Sequence, residues 1–523
     1  MSSGFSRVIV KETDLSQYVD TLLKGVSCVI GVTEKGEVGK PQLISSELQY
    51  ERLYGGELAS SDFPLLVKRS LRYGAVLWVS RACHYEDITD KSTLTIKTAS
   101  VEVNDRSAAS HPTIKISAKS PGKWGDGLKA EVYDSSLDEE TLFNIRVWFN
   151  GEEADNLIDL SLDEANDRYI EKIASDYVVL EDLYSPTEGY DNRPAKGIYV
   201  LTGGNDGDDI TDADYIGSAT NGTGLHAFDD ISDAIQLAVP GVSSPAVISA
   251  ALAYCESRND LFFVGETPFD LSPQEAVDFR MGRGVYNHAP FVSNYGSIYY
   301  PKIEVYDVAK QMSRFISPVG DVLGVMAVND YTANESYVPA GMRRGRLLNV
   351  LGVDVNVGGR GRLGEANYLC DNQINPICVF DDTGAVVWGA QTLQREASLL
   401  REVNVRRMMI VLKKTVAAYA RAYIHDPNHP REWHAFYQGL EPKFEEWKSD
   451  RWFYDYRIFC DQNANTLEEA KLNLPESVQR GEFKCRIFVK PVIGIKWIVI
   501  DAVITRLDVD FSESLAEMLN MTA

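Results

Sequence analysis

Long apolar runs are missing from this 523-residue chain. No stretch approaches the ~18 consecutive apolar residues of a membrane-spanning helix. The opening MSSGFSRVIVKETD lacks the apolar core of a secretory signal. The chain is therefore expected to be made in the cytoplasm, without direct membrane insertion. Positive charge is scarce too: 52 Lys and Arg face 76 Asp and Glu, a net charge of −24. That balance disfavours nucleic acid, because phosphate binding needs clustered Lys and Arg, and it disfavours an anionic membrane surface. Acidity by itself points to solubility. Cys28, Cys83, Cys255, Cys370, Cys378, Cys460 and Cys485 make no CxxC pair and no even-numbered framework, a pattern that suits buried thiols in a reducing compartment.

Catalytic motifs are equally thin. GxSxG, HExxH and a Cys/His nucleophile neighbourhood are absent. Gly31 to Lys40 fails as a phosphate loop, since Glu37 stands where Lys is required and no Ser or Thr follows. Gly359, Gly361 and Gly364 fit GxGxxG behind the strand-like Val353–Val357, with Asp381 or Asp382 available as the acid. Arg360, Arg362 and Asn367-Tyr368 make a poor helix start, so the segment reads as a flexible basic loop. His425, His429 and His434 cluster with Asp426 and Glu432, but Pro427 and Pro430 interrupt the helix that an HxxxH metal site needs. Residues 205 to 214 read as an acidic turn and not as a calcium loop. No cofactor and no metal are expected.

What is present is an α/β chain long enough for roughly two to four domains. Val8-Ile9-Val10 is a lone strand within residues 1–22, and a lone strand needs a sheet from elsewhere. Residues 23–91 read as strand (Val26–Val32), helix (45–56), helix (Phe63–Arg72) and strand (Ala75–Val79). Residues 92–199 alternate in short half-exposed strands, such as Leu94–Thr98 and Thr113–Ser117, and read as an inserted β-rich outer domain. Residues 200–385 return to α/β, with strands at Leu261–Val264 and Leu347–Val355. Residues 386–500 carry long helices near 404–424 and 433–452. Residues 501–523 hold the clearest alternation: Val503, Thr505, Leu507, Val509 and Phe511 share one strand face. An amphipathic tail follows, with Leu515, Met518 and Leu519.

The most informative stretch is VVWGAQTLQREASLLREVNVRRMMIVLKKTVAAYA, residues 386–420. A turn at Asp382-Thr383-Gly384 leads through a β-prone run to Trp388-Gly389, and Arg406-Arg407 opens a helix. With Ile374-Asn375-Pro376-Ile377 before it, this resembles the "vNpI…vWGaRTl…RR" signature of contractile-tail sheath proteins, with Gln391 where Arg is usual. Gly25–Pro41 with Tyr54-Gly55-Gly56, Leu77–Arg81, Leu201–Gly207, Phe459–Thr466 and Val489-Lys490-Pro491 resemble further sheath segments in the same order. Residues 92–200 show no match, and the usual N-terminal "PGVYveE" is replaced by Ser6–Glu12.

The resemblance implies a polymer of stacked, hexameric rings around a tail tube, without enzyme activity. It implies partners in further copies of the chain, the tube protein, the baseplate and the tail terminator or neck proteins. In that family the terminal segments add strands to neighbouring subunits. This assigns strand exchange to Val8, Ile9, Val10, Val503, Thr505, Leu507, Val509 and Phe511. It assigns assembly roles to Asn375, Pro376, Trp388, Gly389, Arg406, Arg407 and Pro491. Fully extended, ~22 residues reach roughly 70 Å, enough to span to an adjacent subunit. Pairing of both strands inside one subunit stays open at this point, as do the sheath of a non-viral injection particle, a nucleotide-dependent α/β enzyme and a monomeric binding module.

Overall fold

The computed structural model describes residues 24–138, 140–187, 189–358, 363–460 and 472–496. The chain through Val492 forms one compact unit, and residues from Ile493 onward form a second. The Val8-Ile9-Val10 strand, the Val503 to Phe511 strand, the amphipathic tail and residues 461–466 of the Phe459–Thr466 match lie outside the described residues.

An eight-stranded sheet organises the first unit. Its strands are β1 (Val26–Gly31), β2 (Gln42–Ile44), β3 (Val76–Arg81), β11 (Gln236–Ala238), β12 (Phe262–Glu266), β13 (Gly296–Tyr300), β17 (Asn375–Phe380) and β18 (Gly384–Val387). The order is β18-β17-β13-β12-β11-β1-β3-β2. The six central strands run parallel, and only the edge strands β2 and β18 are antiparallel to their neighbours. A parallel sheet covered on both faces needs apolar residues at successive positions. VSCVIG in β1 supplies them, with all six residues buried. Val29 joins the core on one face while Val26, Cys28 and Ile30 join the core on the other.

Ten α-helices among the described residues frame these sheets: α1 (Glu47–Tyr54), α2 (Phe63–Arg72), α3 (Asp212–Ile216), α4 (Pro245–Arg258), α5 (Pro273–Met281), α6 (Val319–Thr332), α7 (Leu363–Asp371), α8 (Val403–Arg421), α9 (Pro430–Ser449) and α10 (Pro475–Gln479). Helices α2, α6, α8 and α9 contribute to the first core, and α4 and α5 to the second. Local sequence explains their ends. Ser46 caps α1 by accepting from the Gln49 amide, and Ser272 with Glu275 forms a capping box on α5.

The boundary between residues 23–91 and residues 200–385 does not separate sheets. Strands from residues 23–91 lie beside strands from residues 200–385. β1 takes one neighbour from β3 and the other from β11, about two hundred residues onward, because each edge of a buried parallel strand needs a backbone partner. Residues 92–200 form two further sheets. One pairs β4 (Ser100–Asn104), β5 (Pro112–Ala118) and β9 (Val178–Asp182). The other pairs β10 (Gly197–Val200), β6 (Leu128–Asp134), β7 (Phe143–Phe149) and β8 (Glu152–Leu160) around a separate core that includes Ile116, Trp124, Phe143 and Ile145.

Two expectations are corrected. Leu94–Thr98 is not a strand; it makes only isolated bridges, Tyr85 to Leu94, Lys97 to Asn205 and Thr98 to Gly122, since no partner runs alongside it for more than one residue. Of Leu347–Val355 only Gly352-Val353 is extended as a paired strand, β16, which joins β14 (Ile303–Asp307) and β15 (Met312–Ile316) in a small antiparallel sheet. The interruption expected at the histidines is present: α8 ends at Arg421 and α9 begins only at Pro430, which occupies its first turn, where the missing N–H costs nothing, with His429 as the N-cap.

Candidate assembly surface

The signature residues meet at one edge of the large sheet. β17 and β18 form a hairpin around Asp381-Asp382-Thr383, with Gly384 at φ 81°, a left-handed conformation that glycine adopts without strain. Asn375 and Pro376 open β17, and Trp388-Gly389 leave β18 opposite them. The Pro376 carbonyl accepts from the amides of Trp388 (2.8 Å) and Gly389 (3.3 Å). Asn375 is fully buried and grips the next turn from both sides. Its Nδ2 donates to the Gln391 carbonyl at 2.8 Å, and its Oδ1 accepts from the Gln391 amide at 2.6 Å. A Cβ on Gly389 would lie 2.7 Å from Pro376 Cδ and 2.8 Å from Asn375 Cα, so glycine is required by close backbone approach. Trp388 is 40% exposed, with its ring 4.9 Å from Phe380.

From this turn the chain runs into α8. The Thr392 amide donates to the Arg401 carbonyl, and the Val403 amide donates back to Ala390. Arg406 and Arg407 sit in the first turns of α8, and both are buried. Arg406 donates to Asn294 Oδ1 (2.6 Å) and lies 4.1 Å from the centre of the Tyr295 ring. Arg407 is fully buried and donates to Asp330 Oδ2 on α6 at 2.5 Å. With its carboxamide oxygen toward Arg407, Gln236 on β11 accepts from Arg407 Nε at 3.1 Å and donates to Ser27 Oγ and the Val26 carbonyl. Burial pushes the Asp330 carboxyl above the usual carboxylate range while Arg407 draws it back. The basic pair thus ties α8 to α6 and to the centre of the sheet.

Asn404 connects the same helix to the last described strand. Its Nδ2 donates to the Ser336 carbonyl (2.7 Å) and to the Val492 carbonyl (3.3 Å), one residue beyond Pro491. Pro491 ends β20 (Arg486–Pro491), which pairs antiparallel with β19 (Phe453–Phe459). Helix α9 covers one face of this hairpin: Phe444 packs on Phe453 and Tyr456, with Ile487 and Val489 beside them. The opposite face leaves Tyr454 69% and Phe488 53% exposed. Among the described residues no third strand pairs with either edge.

The remaining candidates resolve simply. Helix α7 does begin inside the GxGxxG motif, at Leu363. The preceding β16, however, pairs antiparallel with β14 and builds no βαβ unit. Gly359 and Gly361 lie outside the described residues. His429 Nδ1 accepts from the Arg431 amide as a helix cap. Among the described residues no group of three His, Cys, Asp or Glu side chains is placed to hold a metal ion, and no helix is long and apolar enough to cross a membrane. Sequence reasoning missed Asp330, Gln236 and Asn404. Nothing local distinguishes Asp330 from the 75 other acids of the chain.

No family model matches the chain. It is 30% identical over 211 residues to the tail sheath protein of Vibrio phage KVP40, covering 40% of this chain and 29% of that protein. It is 25% identical over 248 residues to the tail sheath protein of Enterobacteria phage T4, covering 47% of this chain and 36% of that protein. The match thus spans about a third of the length of these relatives. In fold, the sheath tail protein Lin1278 of Listeria innocua superposes with a TM-score of 0.59 at 13% identity, over 84% of this chain and 90% of that one. The contracted helical sheath of the anti-feeding prophage superposes with a TM-score of 0.56 at 12% identity, over 96% and 99%. In sequence over two-fifths of its length or more, and in fold over most of it, the chain is similar to contractile-tail sheath proteins.

Proposed function

We propose that this chain is the structural subunit of a contractile tail sheath. It acts by assembly and not by catalysis. Copies stack as rings around a tail tube and rearrange to drive that tube through a target envelope. The observation that carries this reading is the similarity to phage tail sheath proteins, joined to a hairpin, β19–β20, that pairs with no further strand among the described residues. A two-stranded hairpin is marginal alone and gains most from added strands. An extended segment from a neighbour supplies them through main-chain hydrogen bonds, while the connecting arm stays free to hinge. Val8-Ile9-Val10 and Val503 to Phe511 are the segments that do so. The surface built from residues 386–500 faces the tube, and residues 92–199 lie outermost.

The buried signature residues serve this role indirectly. Asn375, Pro376, Gly389 and Arg407 make the subunit rigid, so that it moves as one body while the arms flex. Contraction is driven by the greater surface buried between subunits in the compact lattice, without nucleotide. The tube protein, baseplate and terminator proteins are the further partners, in a virion tail or a phage-like particle. Deleting residues 1–20 tests the arm. The truncated subunit is expected to be folded and soluble but unable to form long tubes. Normal polymerisation of the truncated chain would show that this arm does not exchange.

A further inference from the structure

The register of the β19–β20 hairpin points beyond its last paired residues. Tyr456 lies opposite Val489, Ile458 opposite Ile487 and Phe459 opposite Arg486. The next position on each strand is a cysteine, Cys460 on one and Cys485 on the other. Side chains alternate along a strand, so Tyr456, Ile458 and Cys460 share a face with Val489, Ile487 and Cys485. All six belong to the first core. A separate contact holds the two chain segments together at this level. Asn473 Nδ2 donates to the Cys460 carbonyl (3.0 Å) and to the Lys484 carbonyl (3.2 Å), while its Oδ1 accepts from the Lys484 amide (2.8 Å). Residues opposite each other in an antiparallel pair have Cα atoms ~4.5 or ~5.5 Å apart. Both spacings fall within the roughly 4.4–6.8 Å that a disulfide spans.

Both cysteines are free thiols. Cys460 is 1% exposed, whereas Cys485 is half-buried and meets solvent. The Cys460 thiol donates a hydrogen bond to the Cys485 sulfur, and this outweighs burial to hold the Cys485 thiol below its usual range. The thiolate is the nucleophile, so Cys485 is the member of the pair placed to react first. Burial pushes Cys28, Cys83, Cys255 and Cys378 the other way, above the usual range. Buried apolar surroundings leave such thiols inert.

We propose that Cys460 and Cys485 are an oxidation site, a thiol pair that closes into a disulfide across the connecting end of the β19–β20 hairpin. The oxidant is a small-molecule disulfide of the glutathione class. The Cys485 thiolate attacks one sulfur of that molecule, forms a mixed disulfide and releases one small thiolate, which takes up the proton that Cys485 gave away. Cys460 then loses its proton and attacks the Cys485 sulfur. The protein disulfide forms, the mixed disulfide breaks, and the second small thiol leaves with that proton. Two protein thiols are oxidised and one small disulfide is reduced to two thiols. The new bond staples the two strands to each other and restricts the unfolded chain. Its consequence for assembly rests on the reading of the chain as a polymer subunit: the pair stays reduced where the chain is made, and closes in an oxidising medium to keep the receiving hairpin paired. The disulfide chemistry itself does not depend on that reading.

The test uses the full, folded, unassembled chain, first reduced and then incubated with oxidised glutathione. Remaining thiols are blocked with an alkylating reagent at acid pH, and the digested protein is read by mass spectrometry. The expected product is a peptide holding Cys460 joined to one holding Cys485, formed ahead of any other protein disulfide. Glutathione left on Cys485 without transfer to Cys460, a link from either cysteine to a different one, or no reaction at Cys485 would each overturn the proposal. The parent chain is read directly, so the outcome does not hang on a variant that has to fold. Cys460→Ser, which lacks the second thiol, should stop at the glutathione adduct on Cys485, and its absence from the folded variant would overturn the order of attack. Hydrogen exchange then reads the staple. The amides of Phe453–Phe459 and Arg486–Pro491 should exchange at least about tenfold more slowly in the oxidised than in the reduced protein. Equal exchange rates would refute the stapling of the hairpin. Failure here leaves the polymer reading as it stands, and a chain that does not polymerise leaves the disulfide as it stands.

Discussion

Arg407→Met removes one member of an ion pair in which both side chains are wholly buried. Asp330 then keeps a carboxylate in the interior with no counter-charge, and Gln236 loses the guanidinium its oxygen accepts from. Breaking a buried pair in this way costs about 3–5 kcal/mol, a large part of the roughly 5–15 kcal/mol by which domains are stable. Replacing both partners by apolar residues, Arg407→Met with Asp330→Leu, removes the stranded charge and should return to within about 1–2 kcal/mol of the parent. Urea unfolding followed by circular dichroism on the unassembled subunit reads both. A pH series adds a signature that packing loss lacks. Burial already raises the Asp330 pKa, and without Arg407 it rises further. A carboxyl whose folded-state pKa is raised takes up its proton more readily folded than unfolded, so the folded state gains as pH falls through that interval. The penalty of Arg407→Met, measured against the parent, should shrink from pH 8 towards pH 5. A penalty below about 1 kcal/mol, or a double variant as unstable as the single, would refute the reasoning.

Gly389→Ala forces a methyl group against Pro376 and the Asn375 backbone. It should cost about 1–3 kcal/mol by overpacking, seen as a lower melting temperature, whereas Gly364→Ala, with nothing near its Cβ position, should leave packing undisturbed. Asp105 accepts hydrogen bonds from Ser107, His111, Ser185 and Thr187. Burial opposes its charge, but these donors outweigh burial and hold the carboxyl below its usual range. Its contribution is therefore present above the unfolded pKa of about 3.9 and is lost as pH falls through the folded value. Asp105→Asn should cost about 2–3 kcal/mol at pH 7, with the loss confined to the sheets of residues 92–200 in hydrogen exchange.

Elements whose pattern is local were legible in the sequence. Phe63–Arg72 begins and ends where the sequence places it, ahead of Gly74, and α8 and α9 were visible as long helices to within about three residues at either end. The buried run of β1 also announced itself. What failed depends on partners. Leu94–Thr98 alternates as a strand does but has no neighbour to form a ladder with, and Leu347–Val355 is apolar enough for a strand but pairs over two residues. At the candidate site, Asn375, Gly389 and Arg407 drew attention as residues of the signature. Their reasons emerge only with contacts distant in sequence: Asp330 is 77 residues from Arg407, and Gln391 is 16 from Asn375.

Negative-stain electron microscopy of the purified protein, expressed alone and concentrated, addresses the central claim most directly. The account predicts hollow cylinders with helical striation, because under the proposed strand exchange each copy supplies both a donated segment and a receiving hairpin. Monodisperse particles the size of a single subunit under all conditions would contradict it.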